Sequence, residues 1–247
     1  MMQRYFIYLC YDGTRYHGWQ IQPNGISVQE ELQSCLSVLL RKPVEITGAG
    51  RTDAGVHARL MVAHFDVEDV SDEAQLTYRL NRMLPRDIAV SRIEKVAGDL
   101  HARFSATSRT YHYFIHIGRD PFLRHYSLEM PYQLDFNRMN EAARLLLEVK
   151  DFEAFCKAGT DAKTTLCDVT QARWELMEDG DVKRWRFVIT ANRFLRNMVR
   201  AVVGTLVDVG RGKISMEEFR QVIASGNRSN AGESMPGNAL FLWDIQY

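Results

Sequence analysis

Apolar residues fall into two successive series along the chain, each with strand-like and helix-like spacing. Residues 5–11 form an apolar run without proline or glycine, which predicts a strand buried on both faces. Ser27 predicts a helix N-terminus, because Glu30 follows three residues later and apolar positions then recur at helical spacing as far as Pro43. The first series ends with predicted strands at 44–47 and 60–67, a helix at 76–84 and a strand at 88–96.

The second half of the chain repeats this order. Its pattern predicts a strand at 110–117, a helix at 136–147, strands at 169–177 and 182–190, a helix at 193–209 and a strand at 240–247. Residues 152–165 and 211–234 are expected to be insertions, the second with a short helix at 216–224. Each half therefore matches a split β-α-β-β-α-β plan. We predict an α+β fold in which two ferredoxin-like halves share one extended antiparallel sheet, with helices mainly on one face. The expected domains are 1–104, with the glycine-rich loop, and 105–247, with an arginine-bearing helix.

The composition is that of a globular protein. Of 247 residues, 46% are hydrophobic and 25% are charged, which excludes a disordered chain. The 31 basic and 31 acidic residues cancel, so any attraction to nucleic acid has to be local. The cysteines are widely spaced and form no C-x-x-C pair, which argues against a zinc site or a disulfide scaffold: Cys10, Cys35, Cys156 and Cys167. The apolar run at 5–11 is too short to span a membrane, and we expect a cytoplasmic protein.

Positive charge is concentrated in one stretch of the second half. Between 182 and 206 there are six basic residues and no acidic one: Lys183, Arg184, Arg186, Arg193, Arg196 and Arg200. On the predicted helix, Arg193, Arg196 and Arg200 share one narrow stripe, and apolar residues occupy the opposite side. Arginine, of which the chain has 24 against 7 lysines, binds phosphates bidentately and stacks on bases. Two interpretations stay open: an RNA-binding surface and an ordinary solvated helix face.

The segment 48–58 contains the strongest candidate chemistry. Three glycines within eight residues, Gly48, Gly50 and Gly55, indicate unusual backbone conformations or close contact with a ligand. The spacing fits neither a Rossmann fingerprint nor a Walker A motif. Asp53 follows Arg51 by two residues, and an ionised carboxylate beside a guanidinium is suited to act as a nucleophile or a charge stabiliser. The alternative is structural, with Asp53 capping a turn and Arg51 as its ion-pair partner.

Five ordered motifs give this pattern a family resemblance. They are GRTDAGVHA at 50–58, YDGTRYHGWQ at 11–20, NRMLPRDI at 81–88, ARFSATSRTYHY at 102–113 and FLRNMVR at 194–200. Together they resemble the motifs of the tRNA pseudouridine synthase A family, and the resemblance covers nearly the whole chain. Two positions depart from the family pattern: Ala239 stands where glycine is usual, and Cys167 where we expect arginine.

The resemblance implies an isomerase that converts uridine to pseudouridine at positions 38 to 40 in the anticodon stem-loop of tRNA. Asp53 aligns with the catalytic aspartate, Tyr111 with a residue that packs on the target base, and Arg51 with an arginine that helps to flip the base out. Leu240 aligns with a leucine of the substrate pocket, and Arg109 joins the arginine cluster as a candidate RNA contact. The resemblance also implies a homodimer without a metal, nucleotide or organic cofactor.

Two other classes of function are weighed against this one. A non-catalytic RNA-binding module built on the same basic and aromatic residues would bind tRNA without altering uridine. A metal-dependent or phosphotransfer enzyme is disfavoured, because the histidines have no HExxH spacing and the glycine-rich segments lack a phosphate-binding pattern.

Overall fold

The computed structural model describes residues 2–157, 159, 163–178 and 182–247. Over these residues the chain forms nine β-strands, paired mostly antiparallel, and five α-helices. The predicted α+β fold with a mostly antiparallel sheet is confirmed. The chain divides into two compact units, Met1–Thr107 with Phe241–Tyr247, and Ser108–Leu240. As domain limits, 1–104 and 105–247 stay a prediction.

The first unit is built around a strand that is buried on both faces. Its elements are β1 (Gln3–Tyr11), α1 (Val28–Leu40), β2 (Thr47–Gly48), β3 (His57–Val67), α2 (Glu73–Met83), β4 (Ile88–Val96) and, from Phe241 onward, β9 (Leu240–Gln246). β1 lies between β3 and β4 and is antiparallel to both, whereas β9 runs parallel to β3. Phe6, Ile7 and Leu9 are all buried, as the uninterrupted apolar run predicted.

Helix α1 begins where the sequence predicted, because the Ser27 hydroxyl accepts a hydrogen bond from the Glu30 amide. The predicted strand at 44–47 is shorter than expected: β2 comprises only Thr47 and Gly48, which pair with β3. Side chains of α1 explain the difference. The Val44 amide donates to the Ser37 hydroxyl at 3.0 Å and the Ile46 amide to Gln33 Oε1 at 3.2 Å, so these amides are satisfied without a neighbouring strand.

The second unit has a three-stranded core sheet in the order β5-β8-β7. Its elements are β5 (Ser108–Ile117), β6 (Leu128–Met130), α3 (Phe136–Leu145), β7 (Val169–Met177), β8 (Lys183–Ala191), α4 (Met198–Gly210) and α5 (Met216–Ser225). Helix α3 packs against α4 and β7. Aromatic rings join the helix to the sheet: Phe136 stacks on Trp185 with ring centroids 3.8 Å apart, and meets Trp174 edge-on with centroids 5.5 Å apart.

Helix α4 begins five residues later than the sequence pattern predicted. Asn197 has a φ of 66°, in the left-handed region, and this conformation interrupts any helical run that includes it. Arg193 and Arg196 therefore precede the helix, and only Arg200 lies in its first turn. The predicted stripe of three arginines on one helix face is wrong.

The prediction that α4 has one exposed face is also wrong. All but two of its residues are buried, the exceptions being Arg200 and Asp208. The backbone at 232–233 covers the helix so closely that a Cβ at Gly204 would lie 1.8 Å from the Glu233 carbonyl oxygen. Within the described part of the chain, no helix is long and apolar enough to cross a membrane.

Candidate active site

Asp53 lies on the loop between β2 and β3, in a tight turn. The Val56 amide donates to the Asp53 carbonyl oxygen at 3.1 Å, and Gly55 has a φ of 75°, which a side chain would disfavour. The Asp53 side chain is half-buried. The backbone therefore presents this carboxylate neither in the packed interior nor fully in bulk water.

The segment 11–19 clamps this loop through backbone contacts. The Trp19 amide donates to the Thr52 carbonyl oxygen at 3.3 Å, and the Gly55 amide donates to the Tyr16 carbonyl oxygen at 3.2 Å. Gly18 approaches so closely, with a φ of 95°, that a Cβ there would lie 2.2 Å from the Thr52 carbonyl oxygen. These contacts fix the backbone on both sides of Asp53.

His57 closes the clamp at the start of β3. Its buried ring accepts a hydrogen bond at Nδ1 from the Gly13 amide at 3.0 Å, and stacks on Phe241 with centroids 4.5 Å apart. Asp12 Oδ1 lies 3.1 Å from the same nitrogen. Nδ1 makes one of these hydrogen bonds at a time, because an imidazole nitrogen either accepts a hydrogen bond or donates one.

Arg51 is exposed on the same loop, two residues before Asp53. The structure thus places both predicted loop residues on one clamped segment. Pairing of Arg51 with the aspartate, and its part in extruding a base, stay predictions.

In the second unit, Tyr111 lies near the start of β5, opposite Ile189 of β8. Its ring is half-buried and meets Phe194 edge-on, with centroids 4.9 Å apart and planes at 78°. Arg109, two residues earlier on the same side of β5, donates to the Asn192 carbonyl oxygen at 2.9 Å. Tyr111 and Arg109 are therefore held against the loop that leads into α4.

The three arginines of the predicted stripe occupy three different environments. Arg196 is exposed, and its carbonyl oxygen accepts from the Lys157 amide at 3.1 Å. Arg193 is half-buried in the same loop. Arg200 donates through Nε to the Met235 carbonyl oxygen, so part of its hydrogen-bonding capacity anchors the segment that covers α4. Of the three, Arg196 is the one most open to a phosphate.

Leu240 and the two departures from the family pattern are buried. Leu240 follows a 3-10 turn, Gly237–Ala239, in which Ala239 is fully buried and has a negative φ that tolerates a side chain. Cys167 lies under the surface, its amide donating to the Lys150 carbonyl oxygen at 2.9 Å. Burial raises the pKa of the Cys167 thiol to about 11, which makes it a poor nucleophile.

Sequence reasoning missed the clamp and the left-handed conformation of Asn197 before α4. The motif at 11–20 contained the signal for the clamp, because its glycines are needed only where another backbone comes close. Nothing in the spacing of apolar residues distinguishes Asn197 from a helical residue. Among the described residues, no group of three or more histidine, cysteine or acidic side chains is arranged to hold a metal ion.

Comparison with known proteins places the chain in a family. A family model described as tRNA pseudouridine synthase matches residues 9–105 and 142–247. Proteins named tRNA pseudouridine synthase A from Bacteroides thetaiotaomicron and Porphyromonas gingivalis are 58% and 53% identical over 100% of this chain, and the matches span 91% and 98% of those proteins. The protein of that name from Bacillus subtilis is 39% identical over 97% of both chains.

These matches, together with the α+β fold, define an RNA-modifying isomerase. More particularly, the chain belongs to the tRNA pseudouridine synthase family. The resemblance drawn from the five motifs is confirmed, and so is the prediction of an enzyme that acts on uridine in tRNA.

Proposed function

We propose that this enzyme converts uridine to pseudouridine at positions 38 to 40 of the anticodon stem-loop of tRNA, with Asp53 as its catalytic residue. The observation that carries the proposal is the half-buried Asp53 carboxylate on a loop whose backbone is fixed from both sides by the segment 11–19. A carboxylate held in place and partly shielded from water is suited to react with a nucleoside carbon or to stabilise charge on it.

The reaction is an isomerisation, so its atoms and electrons balance without a co-reactant. The bond between ribose C1′ and uracil N1 breaks, the ring rotates, C1′ bonds to C5, and the proton on C5 leaves for solvent while N1 gains one. Asp53 acts in one of three ways: as nucleophile at C1′, as nucleophile at the uracil ring, or as the group that assists a glycal route. The buried thiol of Cys167 takes no part.

The target nucleoside has to leave its stack before its glycosidic bond is accessible, which costs a few kcal/mol. In the proposal, Tyr111 packs on the extruded base and Leu240 lines the pocket for the uracil. Arg51 helps to extrude the base, which its exposure permits. Arg109, Arg193, Arg196 and Arg200 contact the RNA backbone, with Arg196 the most accessible of them.

The enzyme in this proposal is a cytoplasmic homodimer that needs no cofactor. Charge supports the dimer: a chain with no net formal charge has to bind a polyanion, and two protomers bring twice the arginines to one tRNA.

The test is the pair of variants Asp53→Asn and Asp53→Ala. We expect both to lose pseudouridine formation, measured by tritium release from tRNA labelled at C5 of uridine or by carbodiimide primer extension, while tRNA binding persists. Primer extension also reports which uridines of the anticodon stem-loop react. Wild-type activity in either variant contradicts the proposal.

The same assays test the alternative of a non-catalytic RNA-binding protein. That function predicts tRNA affinity with a steep salt dependence and no altered uridine in the wild-type protein. The family membership and the fixed backbone of the Asp53 loop favour catalysis.

A further inference from the structure

The loop that follows β5, residues 118–126, presents an unburied aromatic ring. Phe122 is 87% exposed, more than any other large apolar side chain in the described part of the chain. Its backbone is nevertheless ordered by hydrogen bonds. The Phe122 amide donates to Asp120 Oδ1 at 2.8 Å, and the Tyr126 amide donates to the Leu123 carbonyl oxygen at 2.9 Å. The 118–126 loop therefore holds this ring out in water, although exposure of a phenyl ring is unfavourable.

Two arginines belong to the same loop as the ring. The loop has the sequence GRDPFLRHY, in which Arg119 and Arg124 outnumber a single acid, Asp120. Asp120 accepts from the loop's own backbone, whereas Arg119 is exposed and has no ion-pair partner among the described residues. An exposed ring and an exposed guanidinium on one loop are the combination that binds an unpaired base and its phosphate.

The 118–126 loop lies next to the turn that leads to Leu240. Asn238 Nδ2 donates to the Arg124 carbonyl oxygen at 3.1 Å, and the Pro236 carbonyl oxygen accepts from the Tyr113 hydroxyl at 3.0 Å. The turn Gly237–Ala239 immediately precedes Leu240. Two hydrogen bonds thus tie the loop and the Leu240 turn to one part of the second unit.

We propose that the 118–126 loop is a second RNA subsite, in which Phe122 stacks on an unpaired base of the substrate and Arg119 contacts a neighbouring phosphate. The inference rests on the proposed function, because it requires that tRNA is the substrate and that Leu240 is part of the uracil pocket. It adds a nucleotide that is bound but not modified.

The surroundings of the ring favour RNA over an apolar protein partner. A protein interface is centred on a patch of apolar and aromatic residues from which charged groups are depleted. Phe122 instead shares its loop with two exposed arginines, Arg119 and Arg124, which complement a polyanion. The only other large apolar ring exposed in the loop is the less exposed Tyr126, at 39%. A second copy of this chain docked here through the same loop would place two positively charged loops together, and their charges would repel.

The experiment compares Phe122→Ala, Phe122→Trp and Arg119→Ala with the wild type, using an unmodified tRNA transcript as substrate. Leu166→Ala is the matched control, because Leu166 is also apolar and 55% exposed in the same unit but lies outside the loop. We expect Phe122→Ala to raise KM for tRNA about tenfold with kcat within about twofold, Phe122→Trp to retain wild-type KM, and Leu166→Ala to change neither. Arg119→Ala should lower the slope of log KM against log salt by about 0.7 to 0.9.

Abasic transcripts identify the stacked base. Loss of the base at one position in the anticodon loop, other than the modified uridine, should raise KM for the wild type. The KM of Phe122→Ala should be the same on that abasic transcript as on the intact one. An unchanged KM in Phe122→Ala, in an enzyme that does form pseudouridine, overturns the subsite and leaves the proposed function standing. A Phe122→Ala protein that dissociates to monomers in sedimentation overturns it as well, since the ring then pairs two copies. Absence of pseudouridine in the wild type overturns the proposed function itself.

Discussion

The loop that presents Asp53 and the segment 193–200 both carry candidate chemistry, but they are held in opposite ways. The aspartate loop is fixed by short contacts between two backbones. At Gly13 and Gly18 these contacts leave space for a hydrogen atom but not for a side chain. The segment 193–200 is instead shaped by one residue, Asn197, whose left-handed φ separates two arginines from the helix they were expected to share. Close packing therefore positions the aspartate, whereas a single local conformation distributes the arginines.

The largest expected effect is on the aspartate loop. Replacing Asp53 by Asn keeps the size and the turn but removes the negative charge, so we expect kcat to fall by at least about 10³-fold. The measurement is tritium release at saturating tRNA, with tRNA affinity and the midpoint of thermal unfolding as controls. A kcat within tenfold of wild type would show that another group carries the chemistry.

The clamp itself is tested by one glycine pair. Gly18→Ala places a Cβ 2.2 Å from the Thr52 carbonyl oxygen at a φ of 95°, so we expect a loss of about 3 kcal/mol in unfolding free energy and lower activity per folded molecule. Gly50→Ala is the matched control on the same loop. No atom lies within 4 Å of its Cβ position, so the free energy of unfolding should be unchanged or rise by up to about 1 kcal/mol. Urea unfolding measures both.

If Gly18→Ala and Gly50→Ala are equally stable, the two backbones are not in contact and the comparison between the regions fails. If only Gly18→Ala is destabilised, the aspartate loop owes its position to the segment 11–19, as its hydrogen bonds indicate.

A smaller effect is expected for the arginines. Arg196→Ala removes the most accessible cation of the segment, so KM for tRNA should rise about threefold. The slope of log affinity against log salt should fall by about 0.7 to 0.9, the value of one phosphate contact. Arg220→Ala, which removes an exposed arginine of α5 that is 3.8 Å from Glu217, is the control and should change neither quantity. A loss of kcat in Arg196→Ala would indicate a role in the chemical step instead.

The sequence predicted most of the fold and the main residue of the candidate site. Strands such as 169–177 and the helix start at Ser27 follow from periodicity and capping, which are local properties. Glycine spacing singled out the loop of Asp53 for the same reason. The clamp on that loop and the cover over α4 depend on partners distant in the chain, and the shortened β2 depends on side chains of the preceding helix that accept its neighbours' amides. A pattern of residue types records none of these contacts.

A difference of about 1 kcal/mol between two variants decides whether Asn197 separates the arginines from α4. Asn197→Gly and Asn197→Ala both remove the side-chain hydrogen bond to the Ser234 hydroxyl, so they differ only in how well they tolerate a φ of 66°. Glycine adopts the left-handed region without steric cost, whereas alanine pays about 1 kcal/mol, so the glycine variant should be the more stable by that amount. In a helix interior the order is reversed, because alanine is favoured there by about 1 kcal/mol. Ala201→Gly, within α4, shows the order expected in a helix interior, where alanine is the more stable. Urea unfolding of the three variants then shows whether glycine or alanine gives the higher free energy of unfolding at position 197. An Asn197→Ala protein more stable than Asn197→Gly would place position 197 in a continuous helix and restore the single arginine stripe that the sequence pattern predicted.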